Sequence, residues 1–86
     1  MFGGEKKEIE FICPVFLLDT VIELFGKEVF IGKINEDTIK VKLSVNPMGF
    51  RMWAMRNIDC VDVIKPIELR NEIKEIIEEA SKRYNK

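Results

Sequence analysis

Side chains able to do chemistry are few in this chain, and their spacing limits what they could do. Cys13 and Cys60 lie far apart, each inside an apolar run, and there is no histidine to join them at a metal. Two such thiols are expected to be buried and reduced in a cytoplasmic protein. If their strands are neighbours, a disulfide between them is open but not needed. Hydroxyls are confined to Ser44, Ser81, Thr20, Thr38 and Tyr84. Gly3-Gly4, Gly26, Gly32 and Gly49 match neither nucleotide-binding motif. The carboxylates fall on faces expected to be solvated, not in apolar surroundings that would tune a proton donor. The inventory therefore predicts a protein that is not an enzyme, with no catalytic, metal or cofactor-binding residue.

Binding, by contrast, has candidates. Lys40 and Lys42 alternate along an apolar segment, as in nucleic-acid modules that read bases on an open sheet face. Their own strand has no aromatic residue, and Glu8 and Glu10 on a neighbouring strand would neutralise them. Trp53, the single tryptophan, shares helical spacing with Phe50 and Ala54 and is expected in the core. Met48, Met52 and Met55, with Arg51 and Arg56 beside them, fall on the opposite side of the same helix. That arrangement would be an adaptable apolar surface with a basic rim, unless Leu69 and Ile73 of the last helix cover it. Both readings of the methionines stay open at this point.

These residues need elements to hold them. The 86-residue chain is long enough for one modest core; 47% apolar and 34% charged residues is globular composition. A net charge of −1 without a block of like charges gives no strong pull toward nucleic acid. No apolar run reaches the ~18–20 residues of a membrane span. Met1–Lys7, MFGGEKK, reads as a frayed linker or cloning remnant, with one domain over 8–86.

Glu8 to Val15 alternates and predicts a half-buried strand ending at Pro14. Leu18, Val21, Ile22 and Phe25 mark one face of a helix over Phe16 to Phe25, with Gly26 as its left-handed cap. Lys27 to Ile34 is expected as a second strand, and Asn35-Glu36-Asp37 as a hairpin turn. Thr38 to Val45 alternates most cleanly, with Ile39, Val41, Leu43 and Val45 inward. Asn46-Pro47 is an N-cap followed by Pro at the first helical position. In the helix that follows, Phe50, Trp53, Ala54 and Asn57 share a face. Ile58 to Ile64 is the expected fourth strand, with Val61 and Val63 inward.

Pro66 opens a last helix with the stripe Leu69, Ile73, Ile76, Ile77, Ala80 and Tyr84. The pairs Lys74–Glu78, Glu78–Lys82 and Glu79–Arg83 are expected on its wet side. The order β-α-β-β-α-β-α predicts an α+β domain: a ferredoxin-like βαββαβ unit with a four-stranded antiparallel sheet, plus an added C-terminal helix. That helix must bury its stripe against something, since alone it is marginal in water.

The stretch Trp53 to Leu69, WAMRNIDCVDVIKPIEL, resembles the C-terminal extension of WYL-domain bacterial transcription regulators. Trp53, Val61, Val63, Pro66, Leu69 and Ile73 match that family's pattern of tryptophan late in a helix, valine-rich strand, proline and final helix. Ile22 to Gly26, IELFG, and Thr38 to Val45 resemble its earlier helix end and central strand, so the likeness spans Glu8 to Tyr84. Asn57-Ile58 stands where the family often has a glycine turn, and asparagine tolerates the left-handed backbone needed there. The Trp-Tyr-Leu tripeptide is absent, because Ala54 follows Trp53.

The resemblance implies a ferredoxin-like, non-catalytic module that helps dimerise a regulator and relays effector binding, plausibly of nucleic acid or nucleotide, from a WYL domain. Its partners would be an upstream WYL domain, a winged-helix domain that alone touches DNA, and a second copy; none is a membrane. This chain would then be the last module alone. No ligand residue carries over, since the effector-binding arginines belong upstream. Two other readings remain, a stand-alone small-molecule sensor of the ferredoxin-like type and a nucleic-acid-binding sheet face.

Overall fold

Alternation along Thr38–Val45 builds the central strand. Ile39, Val41 and Leu43 are buried while Lys40, Lys42 and Ser44 face water, so one side of the sheet is dry and the other wet. The computed structural model describes residues 6–26 and 28–85. Among these, β1 (Lys7–Pro14), β2 (Phe30–Lys33), β3 (Thr38–Val45) and β4 (Asp62–Lys65) form one antiparallel sheet in the order β2-β3-β1-β4. Register pairs Phe11 with Val41 on one side and with Val63 on the other. The inward residues of three strands therefore form one continuous apolar floor.

Helices α1 (Leu18–Phe25) and α2 (Pro47–Arg56) meet over that floor. Phe11 of β1, Phe25 of α1, and Phe50 and Trp53 of α2 form an aromatic cluster with ring centroids 5.0–5.8 Å apart. Tilted and edge-on pairs of this kind add about 0.5–1.5 kcal/mol each beyond simple burial. The start of α2 is fixed as its sequence suggests: Met48 N–H donates to Asn46 Oδ1 at 2.9 Å, and Pro47 occupies the first turn. Gly26 ends α1 at φ 92°, donating to the Ile22 carbonyl, a backbone angle that favours glycine. Helix α3 (Ile67–Tyr84) packs on β4 and beside α2, burying Leu69 and Ile73.

Several sequence-based boundaries move. Residues 1–5 and 27 lie outside the described residues, and Lys7, expected in a linker, begins β1 opposite Val45. The first helix is preceded by a 3-10 turn over Val15–Leu17, where Val15 N–H donates to the Asp37 carbonyl. Among the described residues, the second strand, expected from Lys27 to Ile34, covers Phe30–Lys33. The fourth, expected from Ile58, begins at Asp62. The cause is local: Asn57 Nδ2 donates back to the Trp53 carbonyl, and the Asn57 carbonyl accepts from both Cys60 and Val61. Residues 57–61 are thereby wound into a turn, and the N–H groups of Asn57, Cys60 and Val61 are taken up there, not in the sheet.

Cys60 is in consequence half-buried in that turn while Cys13 is buried in β1, and both thiols are free. Within α3, the ion pair formed among the described residues is Lys82–Glu79 at 3.7 Å, three residues apart, in place of the four-residue pairs expected, while Glu72 and Arg70 pair outside the helix with Arg51 and Asp62. The apolar stripe of α3 is covered only in its first half.

Candidate interaction surface

Ten residues of α2 carry two apolar flanks. Phe50, Trp53 and Ala54 face the sheet and are buried, as are Val61 and Val63 beneath them. On the opposite flank Met48 is 67% and Met52 59% exposed. Met55 is half-buried and packs against the core. Arg51 is half-buried and reaches across to Glu72 of α3, Nη1 to carboxylate 3.3 Å. Arg56 is exposed in the last turn of α2. The five residues singled out in the sequence thus divide: Met48, Met52 and Arg56 are open, whereas Met55 and Arg51 are engaged by the fold.

Helix α3 lies beside the methionine flank and does not cross it. Between the start of α2 and α3 runs a shallow groove lined by Lys7, Pro47, Met48, Arg51, Leu69 and Glu72. Its floor is apolar and its walls carry one ion pair. The site offers contact and shape, with a basic residue at either end of the helix face.

The wet face of the sheet is electrostatically closed. Glu10, mostly covered, sits 2.7 Å from Lys40 Nζ and 3.8 Å from Lys65 Nζ, and Glu8 pairs with Lys42 at 3.7 Å. Glu10–Lys40 and Glu8–Lys42 are diagonal pairs across β1 and β3, whereas Lys65 stands directly opposite Glu10 on β4. The Lys40 ammonium hydrogen-bonded to Glu10, and more weakly Lys65 and Lys42, hold that carboxyl below its ordinary value despite partial burial. Sequence reasoning missed one residue here: Phe30, 75% exposed, lies level with Lys42 on β2 and brings an aromatic ring to this face. Only the strand register shows it, since nothing in the β2 sequence says which of Phe30 and Ile31 points outward.

Burial pushes the Cys13 thiol up to about 11, with a smaller contribution from nearby Cys60. The Cys60 thiol is also raised, by burial and then by Asp59. Neither is poised as a nucleophile at neutral pH. Among the described residues no group of three or more His, Cys, Asp or Glu is placed to hold a metal ion, and no helix is long and apolar enough to cross a membrane.

No family model, curated protein or solved structure matches this chain.

Proposed function

We propose that this chain is a non-catalytic interaction module of a WYL-type DNA-binding transcription regulator. In this reading the Met48–Met52 flank docks on the regulator's WYL domain and helps relay effector binding. The observation that carries the docking is the half-covered α2: two large, flexible apolar side chains stay in water on a helix whose other flank is fully packed. Methionines suit a surface that must follow a moving partner, since the thioether chain repacks at low cost. Arg56, open in the last turn of α2, adds a basic edge, while Arg51 is held by Glu72. The regulator assignment rests on the residue pattern Trp53, Val61, Val63, Pro66, Leu69 and Ile73. The strand order β2-β3-β1-β4, antiparallel throughout, with α1 and α2 meeting over one face, supports the ferredoxin-like plan expected of such a module.

Two tests apply. The sequence encoded immediately upstream of Met1 is expected to specify a WYL domain, and unrelated coding sequence there would overturn the regulator assignment. Given that domain, the Met48→Glu/Met52→Glu chain is expected to bind it at least ~10-fold more weakly by calorimetry, with an unchanged circular dichroism spectrum. Equal binding would remove the methionine flank from the interface.

A further inference from the structure

Alternation along β1 turns Cys13 to the dry side of the sheet with Ile9 and Phe11, and leaves it 1% exposed. Strand β4 runs antiparallel beside it, with Phe11 level with Val63 and Ile12 with Asp62. One further step in that register brings the turn over residues 57–61 to the level of Cys13, and this turn carries Cys60. The two thiols are close enough for a charge on Cys60 to be felt at Cys13, and both are free. Cys60 also lines an open groove of ≈ 470 Å³ between the turn, β4 and α3, where Asp59, Asp62, Arg70 and Lys74 supply the charged groups. A small solute therefore has access to Cys60, whereas Cys13 is sealed in the core.

We infer that Cys13 and Cys60 form a redox latch, in which a disulfide between them fastens the 57–61 turn to β1. The turn is what brings the pair together. In the extended strand that residues 58–64 would otherwise form, Val61 and Val63 point inward and Cys60 points to the wet side, away from Cys13. Winding the chain about the Asn57 carbonyl, which accepts from Cys60 and Val61, takes Cys60 off that alternation. A closed latch thus excludes the strand form of this segment and holds the exit of α2 in place. The inference does not depend on the kind of regulator the chain serves.

The oxidant is a low-molecular-weight disulfide, RSSR. The Cys60 thiolate attacks one of its sulfurs, forming Cys60–S–S–R and expelling RS⁻. The Cys13 thiolate then attacks Sγ of Cys60, forming the protein disulfide and expelling the second RS⁻. Each departing thiolate takes up a proton given up by a cysteine, so two protein thiols and RSSR become one protein disulfide and two RSH. Burial of both thiols, with Asp59 beside Cys60, keeps thiolate scarce at neutral pH, so the latch closes slowly. The same property makes each cysteine a poor leaving group, so the closed latch also resists reduction.

The test treats the full chain and Cys60→Ser with cystamine, a cationic disulfide suited to the acidic neighbour Asp59, and compares each with its reduced form. Wild type is expected to lose two hydrogen atoms by mass and both free thiols, without linking chain to chain. Its melting temperature should rise by ~10 °C or more, because the bond closes a long loop in the unfolded chain. The Cys60 and Val61 amides should exchange with deuterium ~10-fold more slowly in the oxidised chain. Cys60→Ser changes a half-buried position, so its fold should survive, which circular dichroism checks, and cystamine should leave its melting temperature unchanged. Cystamine that caps Cys60 and goes no further, a disulfide that joins two chains, or thiols that stay reduced in excess cystamine overturns the latch. A closed bond that leaves the melting temperature or the exchange of those amides unchanged overturns the fastening of the turn. Any of these results leaves the docking of Met48 and Met52 on a WYL domain to stand or fall separately, since neither methionine takes part in the latch.

Discussion

The inner flank of α2, with Phe50, Trp53 and Ala54, and its outer flank, with Met48 and Met52, sit half a turn apart on one ten-residue helix. Both are apolar at helical spacing. The inner flank is rigid, aromatic and interlocked with Phe11 and Phe25. The outer is unbranched, flexible and left in water. The same contrast recurs along α3, between covered Leu69 and Ile73 and uncovered Ile76, Ile77 and Tyr84. Apolar periodicity thus marks where a helix can be buried, and the size of the sheet decides how much of it is. In this fold four strands, two of them only four residues long, cannot cover both flanks of α2 and the whole of α3.

The contrast can be broken most forcefully at the tryptophan. Trp53→Ala is expected to lower unfolding free energy by ~3–5 kcal/mol in urea titration, and Met52→Ala to stay within ~0.5 kcal/mol of wild type. Comparable losses at both positions would erase the distinction between the flanks. On α3, Ile73→Ala should lose ~2–5 kcal/mol and Ile77→Ala within ~0.5 kcal/mol. A large loss at Ile77 would mean the domain itself covers the second half of the helix.

The smallest effect concerns the wet sheet face. The folded-state pKa of Glu10 lies below its ordinary value of 4.5, mainly through Lys40. Its carboxylate therefore adds stability that is fully present above that ordinary value and is lost as pH falls through the lower folded one. Glu10→Gln should be less stable than wild type at pH 6, and the difference should fade on acidification. A difference that persists unchanged at the lowest pH would mean that Glu10 acts through packing and not through charge.

The parts of this fold legible in the sequence are those with strong local signals. Thr38–Val45 alternates without a break, Asn46-Pro47 supplies a cap and a first-turn proline, and Phe50, Trp53 and Ala54 share one helical face. Cross-strand neutralisation of Lys40 and Lys42 by Glu10 and Glu8 was likewise readable, since it follows from alternation once β1 and β3 pair. The ends of β2 and β4 were not, because apolar residues such as Ile58 and Cys60 fit a strand or a turn equally well. Only the hydrogen bonds around Asn57 decide between them. How far α3 is covered also escaped the sequence, since its stripe runs from Leu69 to Tyr84 without a break and carries no mark where the sheet ends. Phe30 needed the register with Lys42 before it could be placed on the wet face.

The central claim is that this chain acts by contact through the uncovered side of α2. It is tested most directly by nuclear magnetic resonance of chains labelled at the methionine methyl groups, titrated with a WYL domain, the partner proposed above. The account predicts that the Met48 and Met52 signals shift together and saturate, with Met55 following weakly from its half-buried place. Saturated binding that leaves Met48 and Met52 unmoved, or no binding at all, would contradict it.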